Sequence, residues 1–303
     1  MIKKDVDWFA VFLLVMAMLV WASSFIALKS AMEVYGPMSV IFGRMLSASL
    51  VFVFFIKGFL KLEFTKEDIK YILIMVLLEP CLYFIFEAKA LEYTSASQAG
   101  MLTSMMPLIT AIGAGLILKE EITKRLLFGA FLAVLGAVWL SLSTESSGIA
   151  KDPVLGNFLE FMAMVCGAGY AISIRRLSEK FSALFLTAVQ SFAGAIFFLP
   201  FFLWEYNSIG FEFDMKATAW TLYLGVVVTL GGYGLFNMAL SRVEASKASI
   251  YINLIPVFTL LLAYLILGEK MKFVEFIASA VILFGVAISQ MPEKMVRKLG
   301  WIR

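Results

Sequence analysis

The chain has 303 residues, 62% of them hydrophobic and 16% charged, with a mean hydropathy of +0.93. A soluble domain of this size cannot hide so much apolar surface, so the bilayer must be part of its solvent. The net charge of +3 is spread along polar loops and gives no argument for nucleic acid, and the lack of histidine excludes a histidine proton relay and Ser-His or His-metal chemistry.

Ten apolar stretches follow in chain order, each of roughly 20 residues, enough to cross a ~30 Å hydrocarbon core. They are Trp8–Leu28, Met38–Ile56, Ile69–Glu87, Ala96–Leu118, Leu126–Leu142, Val154–Ile174, Ala183–Trp204, Ala217–Leu240, Ala248–Leu267 and Phe273–Ser289. Met1-Ile2-Lys3-Lys4 is a basic flank, and the long apolar run after it reads as an uncleaved first span. Cys81 and Cys166 fall inside spans and read as small core residues, not as a disulfide or a metal pair. No Walker motif, dinucleotide fingerprint or metal-ligand cluster is present, so neither a cofactor nor an enzymatic activity is expected.

The chain is written twice. Shifted by 149 positions, Ala96-Ser97 meets Ala245-Ser246, Pro107 meets Pro256, Thr110 meets Thr259, Leu116-Ile117-Leu118 meets Leu265-Ile266-Leu267, Glu120 meets Glu269, and Trp21-Ala22 meets Tyr170-Ala171. Residues 1–149 and 150–303 are therefore expected to be two five-helix repeats. With the N-terminus in the cytoplasm, 18 Lys and Arg residues fall in cytoplasmic segments, 6 in outer loops, and Arg44 inside a span. This bias places both ends inside a plasma (inner) membrane. Five spans per repeat is an odd number, so the second copy is inverted. The fold class expected is all-α, with ten transmembrane helices in two inverted repeats, an arrangement common among secondary transporters.

Local motifs point the same way. Trp21-Ala22-Ser23-Ser24-Phe25, Phe42-Gly43-Arg44, and the run Tyr93 to Ala99 followed by Pro107 and Glu120 resemble signatures of EamA-type members of the drug/metabolite transporter superfamily. Ala245 to Pro256 with Glu269 repeats the last of these. The resemblance covers nearly the whole chain. It implies an alternating-access carrier of small metabolites, often an exporter of amino acids or related amines. An importer or exchanger of a nucleoside, vitamin or quaternary ammonium compound is the alternative. It also implies that the fifth and tenth spans lie at the periphery, consistent with the small-residue strip Gly129, Ala133 and Ala137. A chain holding both halves can act as a monomer, its partners being the bilayer, a small-molecule substrate and protons.

Ionisable groups inside spans are costly and so are informative. Glu79, Glu87, Glu160 and Arg44 qualify, and their repeat counterparts are Val228, Phe236, Val11 and Ala193. Glu79 lies near the middle of the third span. Pro80 follows it and should kink the helix and free a carbonyl, and Tyr83 stands one turn on, on the same face. A mid-membrane carboxylate beside a tyrosine suits an amine, an ammonium group or a proton. Two readings stand: Glu79 takes part in transport, or it forms a structural pair with Arg44. Arg44 can instead pair with Glu87, or hold a substrate carboxylate. Glu160 is expected to face a water-filled vestibule. Trp21 and Tyr170 should face each other across the pseudo-two-fold axis and offer aromatic faces to a cation. Gln98, Tyr251 and Asn253, and Asn237 with Tyr233 beside Gly231-Gly232, either line the cavity or join helices.

Overall fold

The computed structural model describes residues 7–59, 62–118, 122–144, 150–210, 212–240, 242 and 251–290. Eight helices among them are long and apolar enough to cross a membrane. They are α1 (Trp8–Ala31), α2 (Pro37–Phe59), α3 (Lys66–Tyr93), α4 (Ala96–Leu116), α5 (Lys124–Ser143), α6 (Pro153–Ile174), α7 (Ala183–Ile209) and α8 (Met215–Phe236). Two shorter apolar helices follow, α9 (Leu254–Leu267) and α10 (Phe273–Ser289). Residues 248–250 of the expected ninth span lie outside the described residues.

The helix ends are written in the sequence. Side chains of Asp7, Thr65, Ser95, Thr123, Asp152, Ser182 and Asp214 each accept a bond from the first turn they precede. Thr65 and Asp214 are repeat counterparts, and they cap α3 and α8. Gly210 (φ 83°) and Gly268 (φ 68°) end α7 and α9 in the left-handed conformation that favours glycine.

Ion pairs tie the helix ends. At the end of the bundle where α1 begins, Arg242 meets Asp7 at 3.2 Å, Arg176 meets Glu67 at 3.1 Å and Lys180 meets Asp68 at 2.6 Å. The Ala10 N–H and the Arg242 charge hold the Asp7 carboxyl below the usual carboxylate range. At the opposite end, Glu269 accepts from the N–H groups of Ala96 (3.0 Å) and Ser97 (2.9 Å) and from the Ser97 hydroxyl (2.7 Å), with Lys29 at 3.8 Å. Glu205 does the same for α2, taking bonds from Met38 N, Ser39 N and Ser39 Oγ. Each carboxylate thus satisfies helix-start donors that have no intrahelical acceptor. The counterpart of the first arrangement, Glu120 with Ala245-Ser246, lies outside the described residues.

Packing follows small residues. An added Cβ on Gly129 would meet the Gly285 carbonyl, one on Gly285 would meet the Gly129 carbonyl, and one on Gly136 would meet Ile282 and the Ala278 carbonyl. The expected α5 strip of small residues is therefore the α5–α10 contact. The outer flank of α5 carries exposed Leu127, Phe128, Phe131, Val134 and Trp139, as a lipid-facing surface should. On the other side α2 packs on α7, α1 on α8 and α9, and α3 on α6.

Helix α3 is broken beside its proline. It spans Lys66–Tyr93, longer than the expected Ile69–Glu87, because Thr65 and Asp68 form a reciprocal cap at its start. Glu79 leaves the helix (φ −145°, ψ 118°), and Pro80 supplies no N–H. Wide turns run from Leu77 to Leu82, and others run from Tyr223 to Gly232 in α8, the stretch that contains the repeat counterparts. Such wide turns often mark functional positions.

Candidate functional site

The break in α3 puts Glu79 at the meeting point of α3, α6, α7 and α8. Its freed carbonyl accepts from Gln190 Nε2 of α7 at 3.3 Å. Its carboxylate accepts from the Tyr233 hydroxyl of α8 at 3.3 Å. Tyr170 of α6 donates to Gln190 Oε1 at 3.3 Å and neighbours the Tyr233 hydroxyl. A single amide, Gln190, thus fixes both the broken backbone and one of the two tyrosines.

Trp21 of α1 closes this group from the other side. Its ring meets Tyr233 edge-on at 5.5 Å and Phe236 at 5.3 Å. Gly232 makes this approach possible, since a Cβ there would strike the indole. Trp21 and Tyr170 therefore flank Tyr233 from α1 and α6, with Tyr233 between them.

Arg44 of α2 reaches toward the same group. It donates through Nε to Thr229 Oγ1 of α8 at 3.3 Å, and its guanidinium lies 4.3 Å from the Phe84 ring centre. Gly225 lets α8 approach closely here, as a Cβ would meet Ser47 and the Arg44 carbonyl. No direct ion pair of Arg44 is found among the described residues. Instead its charge acts on both Glu79 and Glu87.

The Tyr83 hydroxyl donates to Glu87, one turn on, at 3.2 Å. Glu160 of α6 is fully buried and not in a water-filled vestibule, because α3 packs along α6 and covers it. Gln98 stands apart, at the start of α4. It accepts from Asn157 Nδ2 at 2.7 Å and from Thr94, and donates to Thr144 at 2.7 Å. It joins α4, α5 and α6. Tyr251 packs beside Leu13, Leu14 and Ala239, and Asn253 lies at the start of α9. The side chain of Asn237 lies outside the described residues. Both cysteines are buried and unbridged.

Sequence reasoning gave too little weight to Gln190, Thr229, Tyr233 and Phe84. The signals were present: a lone amide in an apolar span, and an aromatic after a Gly-Gly pair. What was missing was the helix contact that brings them to Glu79.

The apolar helices and the ionisable side chains buried between them define a multi-pass membrane protein with a polar centre. The profile of the EamA-like transporter family matches residues 8–142 and again 154–291, so the chain belongs to that family and is a membrane transporter rather than an enzyme. It is 30% identical over 259 residues to the uncharacterized transporter YetK of Bacillus subtilis, covering 83% of this chain and 77% of that one. An uncharacterized transporter of Archaeoglobus fulgidus is 27% identical over 280 residues, covering 91% and 96%. A protein of Streptantibioticus cattleyicolor named a probable terminal-alkyne amino-acid exporter is 22% identical over 279 residues, covering 92% of each chain. A solved crystal structure superposes with a TM-score of 0.60 at 16% identity, over 96% of this chain and 98% of the other, a likeness of fold alone.

Proposed function

We propose that this chain is a secondary transporter of ten transmembrane helices in two inverted repeats, which exports amino acids or related amines by alternating access. The observation that carries the reading is Glu79: a carboxylate at a helix break, set among Tyr233, Tyr170 and Trp21. A carboxylate recognises an ammonium group, and aromatic faces stabilise one further. Broken helices near the membrane centre are a common way to build a solute site, since they expose backbone polar groups. The uncharacterized relatives are no guide to substrate, whereas the exporter name of the Streptantibioticus relative agrees with an amine.

The repeat reading draws support from packing. Exchanging each helix with its counterpart turns the α1–α9 contact into α6–α4 and the α3–α6 contact into α8–α1, and all four contacts exist. The double family match agrees. Purified protein in liposomes, offered labelled amino acids, amines and nucleosides, tests the function. Trp21→Ala or Tyr170→Ala should weaken binding about tenfold or more, since each removes an aromatic face worth roughly 2 kcal/mol to a desolvated cation. Phe128→Ala on the lipid-facing flank of α5 should change it little. Equal losses at all three positions would remove the support for this site.

We also place both termini in the cytoplasm, in the inner membrane, on the distribution of Lys and Arg. In a background with Cys81 and Cys166 replaced, a cysteine at Ser208 should label from outside and one at Lys61 should not. The reverse pattern refutes this orientation.

A further inference from the structure

Among the described residues, the least satisfied acidic groups are Glu160 and Glu87. Both carboxylate oxygens of Glu160 and Oε2 of Glu87 are buried with no hydrogen-bond partner. The two residues are 0% and 4% exposed. Their helices, α6 and α3, pack along one another, and Glu87 is the charged group that acts on Glu160. The other ionisable groups facing the pair are Arg44 from α2 and Glu79 and Tyr83 from α3.

The charges do not balance if all three acids are ionised. Among the described residues Arg44 is the cation that acts on these acids, and it is drawn toward Thr229 and the Phe84 ring. An ionised carboxylate with neither a counter-charge nor a hydrogen-bond donor is among the costliest groups to bury. Three acceptor oxygens without donors, on two neighbouring acids, are short of a hydrogen.

We propose that Glu87 and Glu160 form an acid pair that holds one exchangeable proton, a coupling-ion site separate from the solute site at Glu79. The proton forms an O–H bond to an oxygen of one carboxylate and is hydrogen-bonded to an oxygen of the other. On opening to water it leaves to the solvent, and two carboxylates remain until a proton returns. A metal cation fits this place poorly. The Tyr83 hydroxyl already spends its hydrogen on Glu87 Oε1, the carbonyls of α-helix are engaged in the helix, and only the three carboxylate oxygens remain. Hard cations take about six or more oxygens. The word coupling rests on the transport reading above; the binding of the proton does not.

Thermal unfolding of the purified full chain in detergent, across a series of pH values, tests the proton without any solute. A glutamate in the unfolded chain releases its proton near pH ~4.3. Between that pH and the pH at which the folded pair gives up its proton, the folded state holds one proton more than the unfolded state. The folded-to-unfolded ratio should therefore drop by up to about tenfold for each unit that pH rises. Glu160→Gln and Glu87→Gln should each flatten that slope, because an amide holds its hydrogens at every pH. Slopes equal to that of the wild type in both variants would overturn the proposal. If a variant does not fold, the infrared band of a buried protonated carboxyl in the wild type at neutral pH decides instead, and its absence is fatal. A melting temperature that rises with sodium at constant ionic strength would assign the site to a metal cation and also defeat it. Failure of the liposome assay to find a solute would count against the transport reading and leave these results unchanged.

Discussion

Glu79→Gln should abolish most transport and leave the fold standing. The amide keeps the size of the side chain, and its oxygen still accepts from Tyr233. The Glu79 carbonyl that takes the Gln190 bond is main chain and is not altered. Removing one partner of a buried ion pair ordinarily costs about 3–5 kcal/mol. Here the cost should stay within about 1 kcal/mol, because the Arg44 charge also acts on Glu87 and its guanidinium is held by Thr229 and Phe84. Transport of a cationic solute should fall at least about a hundredfold, the range expected when a buried charge partner is lost from a binding site. Uptake assays and thermal unfolding measured side by side separate the two readings of Glu79. If the single variant is strongly destabilised, and adding Arg44→Gln restores both stability and transport, then Glu79 is a structural counter-charge and its transport role is refuted.

Glu269→Ala should be the most damaging change outside the centre of the bundle. One carboxylate, 6% exposed, accepts three hydrogen bonds from the start of α4 and lies 3.8 Å from Lys29 of α1. Alanine leaves two backbone N–H groups and a hydroxyl buried without that acceptor, each costing about 1–3 kcal/mol. A combined loss of roughly 3–5 kcal/mol is expected. Glu67→Ala removes the partner of Arg176 in an exposed pair, 54% and 62% accessible, and should cost less than about 1 kcal/mol. Comparing the two variants by thermal unfolding checks the assignment. Equal, small losses would mean that the Glu269 contacts contribute little and that α4 is held by packing alone.

This contact also explains part of what the sequence repeats. Ala96-Ser97 and Glu269 belong to matched pairs in the two halves, and the structure shows them touching each other across the halves. From sequence they were only two similar strings. Periodicity cannot reveal that a carboxylate at the end of one helix caps the start of a helix some 170 residues away, because the information lies in how the halves pack.

The sequence by itself determined the solvent, the apolar stretches and their caps, and the proline that bends α3 beside Glu79. Hydropathy decides which residues can face lipid, Asp, Ser and Thr before an apolar run supply its first acceptors, and a proline removes a donor wherever it stands. It also marked Glu79, Glu87, Glu160 and Arg44, since burying a charge needs a reason. Only the tertiary structure decided what those charges meet. Arg44 turned to Thr229 and Phe84, where sequence depth suggested a direct ion pair, because Gly225 lets α8 lie against α2. Glu160 was covered by α3 instead of opening to water. In each case the deciding quantity is the rotation of one helix about its axis relative to a neighbour, and in stretches apolar on every face no sequence pattern records it.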